Sequence, residues 1–449
     1  MGKPTPSYRP KETRVRSLGE VSLGLSKKIA QDEARRCPQC AMAACLPGCP
    51  LGIDIPGFIR FLREGDTVLA LERIKQENPF PAICGRICPA PCEQACVFQS
   101  DGNPISIRGL ERFAADFGQS KAEKLSLALG GKKVAIIGAG PAGMSASYYL
   151  AKMNFSVTIF EAAHEPGGFL RYTVPEFRLP QKVLDEQFSQ LKRWGVEIQT
   201  DVVFGRTMMT DELFMRGFSA ILLATGAGLP IFSDLPGSSL GGVFYDKEFL
   251  YRLQAIKKED ALQAARRQMI GGPNTVVIGC GQSAFDAARL IVRLGGKVQV
   301  IFEGFEEQAG VDHDILKESR EEGIEIHSIK ALEMVGDAAG FVQGVKCRKL
   351  DIVDGKNGLK LEPSQDKSVI LEAQTVIIAN GQRPNDLLKN YLPQLKWDND
   401  GSLWADAQSG MTSIDKVFGC GSVVTGGGSV VDAIAGGKAA AQKIIEYLK

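Results

Sequence analysis

The chain has 449 residues, 44% hydrophobic and 23% charged, the balance of ordinary globular domains with cores of their own; that length sets a prior of roughly three domains. A net charge of +1 gives no reason to expect nucleic acid or an anionic membrane as a partner. No stretch approaches ~18 uninterrupted apolar residues, so no membrane span is expected, and the opening run MGKPTPSYRPKETRVR is charged with no apolar segment after it, so no signal peptide is read there.

Eight of the 11 cysteines fall between Cys37 and Cys96, in two regular runs. The first holds Cys37, Cys40, Cys45 and Cys49; the second holds Cys84, Cys88, Cys92 and Cys96. Thiolates this dense, with turn residues between them, suit iron–sulfur clusters, which are held mainly by cysteine. Structural zinc is the first alternative, but the spacings are not two paired C-x2-C knuckles and none of the three histidines (His164, His313, His327) lies among them. Disulfides are the second, and they need an oxidising compartment; a chain of this length with nucleotide motifs and no signal is expected in the cytoplasm with reduced thiols. Around the cysteines, Phe58 to Ile74 has helical apolar spacing that Gly65-Asp66 splits into two short helices, and Leu110 to Phe117 is a further helix. The segment between, with Pro79, Pro81, Pro89 and Pro91, is expected to be an irregular loop cage.

The character changes at Lys132. Val134–Ile137 reads as a buried strand, Gly138-Ala-Gly-Pro-Ala-Gly143 opens a helix running to about Met153, and Val157–Phe160 is a second strand ending at Glu161. Gly138 makes the tight turn, Gly140 lets the backbone approach a pyrophosphate, and Gly143 lets helix pack on strand. Pro141 and Ala142 sit at the helix N-terminus, where free N–H groups and the dipole favour an anion. Glu161, 23 residues after Gly138, is placed for ribose hydroxyls. The same grammar recurs about 140 residues later: strand Thr275–Ile278, turn Gly279-Cys280-Gly281-Gln282-Ser283-Ala284, helix Phe285–Leu294, strand Val298–Phe302, then Glu303. A carboxylate at that position accepts bonds from a free 2′-OH and repels a 2′-phosphate. A charge-assisted bond is worth roughly 1.5–3 kcal/mol, enough for tenfold discrimination, so NADH is favoured over NADPH.

Two strands, Ala220–Ala224 before Thr225-Gly226 and Thr375–Ala379 before Asn380-Gly381, are read as closing the first nucleotide-binding domain around an inserted second one. Val417–Gly421 and Val431 to Tyr447 make a last strand and helix. Cys280, Cys347 and Cys420 are isolated in sequence and read as small buried residues; with no close cysteine pair beside the first fingerprint, electrons are expected to leave through the clusters.

Together these features resemble the small, flavin-containing subunit of bacterial glutamate synthase, and equally the large subunit of NADH-dependent ferredoxin:NADP oxidoreductase and the electron-input half of dihydropyrimidine dehydrogenase. The specific marks are Cys49–Pro56, Gly85–Cys92, Gly167–Pro180, Val423–Thr425 and Val430–Ile434. The resemblance implies an α/β fold of two Rossmann-like, glutathione-reductase-like domains preceded by an α-helical iron–sulfur domain. Residues 1–128 would hold two [4Fe–4S] clusters, 129–232 with 379–449 the FAD, and 233–378 the NAD(P)H. One cluster would take Cys37, Cys40, Cys45 and Cys96; the other Cys49, Cys88 and Cys92 with Glu111, leaving Cys84 spare, or as the fourth ligand if Glu111 is not one. The resemblance also places Gly168, Arg171, Thr225, Gly226, Gly421, Ser422 and Val431 at the flavin. Two departures stand out. The family's Gly-Asp is Gly421-Ser422 here, a neutral hydrogen-bonding group in place of a charged one, and its basic pair after the second strand is Glu303-Gly304.

The resulting expectation is an electron-transfer subunit. NADH, or NADPH, gives hydride to FAD, and single electrons pass through the two clusters to a catalytic or electron-accepting partner protein, ferredoxin among the candidates. The resemblance leaves room for flavin-based electron bifurcation, and no residue here proves it. A stand-alone NAD(P)H-dependent reductase of sulfide or polysulfide type, and a scaffold with impaired nicotinamide binding, are the other readings.

Overall fold

Capping carboxylates and prolines write the helix starts in the cysteine region. In this computed structural model, which describes residues 2–118, 131–254, 256, 271–355 and 358–449, Asp54 accepts from the Gly57 N–H and opens helix Ile55–Glu64; Gly65, at φ +88°, stops it; Asp66 then caps Thr67–Lys75 through Leu69. The split at Gly65-Asp66 is the expected one. The proline-rich segment is not the irregular loop expected: Pro81–Ile87 and Pro91–Gln94 are short helices, each with its proline in the first turn. A proline there forfeits no hydrogen bond, because that N–H has no helical partner anyway. With Lys27–Arg36 and Ile107–Phe117 these helices form a bundle cored by Phe58, Ile59, Leu62, Phe80, Ile83 and Leu110. The expected boundary at 128/129 lies outside the described residues.

A parallel five-stranded sheet follows, in the order Val417–Gly419, Phe218–Leu223, Lys133–Ile137, Ser156–Phe160, Glu197–Gln199. Helix Pro141–Lys152 crosses between its central strands, and the last helix, Val430–Leu448, lies against that helix. Their approach is backbone to backbone: a Cβ on Gly437 would stand 2.1 Å from the Ala142 carbonyl oxygen, so only glycine fits. The helical bundle and this sheet share one apolar core, running from Phe58 and Ile83 to Ile136, Leu222 and Ile434.

A second sheet has seven strands, in the order Gly358–Glu372, Val342–Gly355, Glu325–Gly336, Lys297–Phe302, Asn274–Ile278, Thr375–Ile378, Val243–Tyr245. Thr375–Ile378 pairs here, with Asn274–Ile278 and Val243–Tyr245, and does not close the first sheet as expected. Its four residues are all buried, and such a run suits any central parallel strand, so the pattern cannot say which sheet receives it. The long antiparallel strands between Glu325 and Glu372 were not anticipated either.

The N-terminal segment, featureless in sequence, reaches across to this second fold. Tyr8 and Leu18 pack against its core, the Val21 N–H bonds the Phe177 carbonyl, and Arg14 enters a buried ionic network. There Arg14 meets Glu321 (2.7 Å) and Glu322 (3.2 Å), Arg289 meets Glu318 and Glu322, and Arg293 meets Glu322, the last three contacts all at 2.7 Å. Three cations face three anions, and Phe177 lies 4.0 Å under the Arg293 guanidinium. Burial raises the Glu322 pKa, but hydrogen bonds from Arg289 and Arg293 outweigh it and bring it down to about 2. Because the folded value lies below the ordinary ~4.3, this stabilisation is complete above that pH and is lost as pH falls towards 2. Removing the shared anion strands buried guanidinium groups, so Glu322→Ala is expected to cost about 3–5 kcal/mol in urea unfolding followed by circular dichroism at pH 7; a loss below about 1 kcal/mol would show that the network behaves like a surface pair.

Candidate cofactor sites

The cysteines line two separate cavities. One is bounded by Cys49, Cys84, Cys88, Cys92, Glu111 and Asn78, the other by Cys37, Cys40, Cys45 and Cys96. Among the described residues no group of three or more His, Cys, Asp and Glu side chains is disposed to hold a single metal ion. Cavities lined by several cysteines suit iron–sulfur clusters, which cysteine thiolates hold. Burial pushes the Cys45 thiol up to about 11 and the Cys88 thiol up to about 12, so thiolate ligation here releases protons as metal enters.

Cys84 and Glu111, the two alternatives that the resemblance leaves for one ligand, both line the first cavity. Glu111 is buried on helix Ile107–Phe117, and its carboxylate accepts from the Asn78 amide at 2.7 Å. Burial drives its pKa up to about 8, partly offset by that bond. Cys84 is 1% exposed, and desolvation holds its thiol far above the usual range. Asn78, which carried no sequence signal, lines the same cavity. So does Val431, from the last helix, while Ile55 and Ile107 line both cavities.

The first fingerprint forms an open cradle. A Cβ on Gly140 would meet nothing within 4 Å, whereas one on Gly143 would strike the Gly138 oxygen at 2.0 Å. Space lies where a pyrophosphate needs it, and contact lies where helix meets strand. Gly168 abuts Gly140, Thr225 flanks Gly138, and Gly421 touches Ala142, so Pro141, Ala142, Gly226 and Ser422 gather at the same helix N-terminus. Glu161 is buried, its carboxylate accepting from the Ala139 N–H (2.7 Å) and the Ala163 N–H (2.9 Å). Arg171 is not brought to bear in the same way. Its guanidinium is taken up by Pro166 O, Gln181 and Asp185, which fold its own segment. Arg178, which the sequence did not single out, pairs with Asp286 at 2.6 Å and so joins the Gly167–Pro180 segment to the second fingerprint's helix.

That second helix, Gln282–Arg293, begins at Gly281, beside which a Cβ would again meet nothing within 4 Å. Gln282 reaches Asp286, Ala284 is fully buried, and Ser283 is in the first turn. The carbonyl of Cys280 accepts from Gly310. Glu303 follows strand Lys297–Phe302, half exposed, with its carboxylate on Lys330. Of the isolated cysteines, Cys347 and Cys420 are buried and Cys280 is partly exposed. No helix among the described residues is long and apolar enough to cross a membrane.

The family described as dihydropyrimidine dehydrogenase domain II, 4Fe-4S cluster, matches residues 14–123, and the pyridine nucleotide-disulphide oxidoreductase family matches residues 132–437. The glutamate synthase [NADPH] small chain of Azospirillum brasilense is 31% identical, over 99% of this chain and 94% of its own length. The NAD-dependent dihydropyrimidine dehydrogenase subunit PreT of Salmonella typhimurium is 30% identical, over 96% of this chain and 97% of its own. Among solved structures, FprA from Mycobacterium tuberculosis aligns over 71% of this chain and 85% of its own with a TM-score of 0.59 at 17% identity, a likeness of fold. Cavities, cradles and matches agree: the chain belongs to the pyridine nucleotide-disulphide oxidoreductases, together with the glutamate synthase small chains, as an NAD(P)H-dependent flavin and iron–sulfur oxidoreductase.

Proposed function

We propose that electrons enter this chain as hydride at the Gly279–Ala284 site and leave one at a time, through two thiolate cages in series, to a partner protein. The observation that carries this reading is the place of Val431. It belongs to the helix packed on the first fingerprint's helix, and its side chain also lines the Glu111 cavity. Ile55 and Ile107 then separate that cavity from the one around Cys45. The order is therefore first fingerprint, Glu111 cavity, Cys45 cavity, with apolar side chains between.

When bound, FAD and the two [4Fe–4S] clusters supply the conversion of a two-electron hydride into single electrons. The protein's own residues position and insulate. Gly138, Gly140 and Gly143 admit the flavin's pyrophosphate, and Glu161 holds the turn around it. Cys37, Cys40, Cys45 and Cys96 would hold the outer cluster; Cys49, Cys88, Cys92 and Glu111 would hold the inner one. In this reading residues 1–128 carry the clusters, 129–232 and 379–449 the FAD, and 233–378 the NAD(P)H. The relatives are named as a small chain and a subunit, which supports a heteromeric assembly in which the partner brings the final acceptor, whether a catalytic subunit or a ferredoxin.

Cys45→Ala tests the division into two cages. It is expected to halve the iron, from about eight to about four per chain, and to remove one of two cluster EPR signals while NAD(P)H still bleaches the flavin. Unchanged iron and unchanged spectra would remove Cys45 from the ligand set. The eighth ligand is settled separately: Cys84→Ala should keep full iron, while Glu111→Ala should lose or reshape one cluster's EPR signal. The opposite pattern would make Cys84 the ligand.

A further inference from the structure

The acid that follows the second strand of a dinucleotide motif decides how the site treats the adenosine ribose, because a carboxylate there binds hydroxyls and repels phosphate. In isolation Glu303 argues for NADH. The structure shows that it is not isolated. Strand Glu325–Gly336 runs parallel to Lys297–Phe302, with Ser328 opposite Phe302. That register sets Lys330 beside Glu303, and the Lys330 ammonium lies 3.0 and 3.1 Å from the two carboxylate oxygens. The Ser328 hydroxyl donates to the Gly304 carbonyl and fixes the turn that carries Glu303. Other charged groups stand nearby: His327 pairs with Glu325 and Arg320 with Glu306, while Arg348 lies opposite Lys330 on the next strand and adds a second cation to this side.

Both members of the Glu303–Lys330 pair are substantially exposed, at 48% and 40% of their side-chain surface. Pairs of that kind are weakly held and open readily for a ligand. A lone carboxylate would meet a 2′-phosphate as a repelling charge; an ammonium beside the carboxylate cancels that charge and can turn to the phosphate when the pair parts. Glycine at 304 leaves the turn without a side chain over this spot.

We propose that Lys330 is the specificity-determining residue of the nicotinamide site: its ammonium receives the 2′-phosphate of NADPH, while Glu303 receives the ribose hydroxyls of NADH, so that one site accepts both coenzymes. This rests on the assignment of Gly279–Ala284 as the nicotinamide-nucleotide site and adds the chemistry that selects among nucleotides there.

The test uses probes that carry the adenosine end alone, 5′-AMP and 2′,5′-ADP, titrated into the cofactor-loaded chain by calorimetry. The wild type is expected to bind the two within about tenfold of each other. Lys330→Ala should weaken 2′,5′-ADP by about tenfold or more, the scale of one charge-assisted bond, and leave 5′-AMP within about twofold; Lys330→Arg should restore the phosphate-bearing probe. Glu303→Gln should tighten 2′,5′-ADP and weaken 5′-AMP. Exclusion of 2′,5′-ADP by the wild type, or a Lys330→Ala variant whose ratio of affinities is unchanged, would overturn the inference and leave the nucleotide site standing. Binding of neither probe, in a chain whose flavin is still reduced by NAD(P)H, would overturn the assignment of the Gly279–Ala284 site and the inference with it.

Discussion

The contact between the last helix and the cysteine bundle is the constraint on which the rest depends. Single electrons cross a protein only where donor and acceptor stand close, so a chain that hands them from a flavin to clusters must hold both sites in one body. Helix Val430–Leu448 does this from two sides. On one, Gly437 meets the Ala142 backbone and the Ser145 hydroxyl donates to the Ile434 carbonyl at 2.7 Å. On the other, Val431 lines the Glu111 cavity and Lys438 reaches Glu77 and the Leu51 carbonyl. Tyr149, from the fingerprint's helix, completes the join by donating to the Glu77 carbonyl. The shared apolar core makes this a packed interior, where a shift of either partner would open a cavity costing about 24 cal/mol for each Å³ left empty.

The nicotinamide-side fold is held by different means. Its ties to the rest are charged: Arg178 to Asp286 and Arg14 to Glu322 are buried, while Arg14 to Glu321 and Arg108 to Asp312 (3.0 Å) are partly exposed. Arg108 also donates to the Cys88 carbonyl at 2.7 Å, so one guanidinium spans from the inner cage to the segment beside the second fingerprint. Buried ion pairs add less stability than apolar packing of the same volume, but they tolerate few alternative arrangements. In the proposed reading the apolar join holds the electron path together, and the ionic ties fix how the nucleotide-binding half meets it.

Much of this was legible in the sequence because it is local. The two β-α-β units, the split helix at Gly65-Asp66 and the thiol-rich segment each occupy a short run with a period or spacing of its own. What was missed is long-range. Thr375–Ile378 looks like any buried parallel strand, and only pairing shows which sheet takes it. Lys330 lies 27 residues from Glu303, and strand register alone brings them together. Asn78 reaches Glu111 across 33 residues. Arg171, placed at the flavin by its shared motif, hydrogen-bonds within its own segment, whereas Arg178, seven residues on, makes the link to the second fold. The prolines between the cysteines were read as breakers because their position in a helix's first turn is visible only once the helix is.

The central claim is that one chain carries reducing equivalents from a nicotinamide to two clusters by way of a flavin. An anaerobic titration of the purified chain with NADH, and separately with NADPH, tests it most directly, with flavin absorbance and cluster EPR followed in the same samples. The account predicts that the flavin bleaches and that reduced-cluster signals grow in step as reductant is added. Bleaching without cluster signals would break the path between flavin and clusters, and no reduction by either coenzyme would contradict the claim itself.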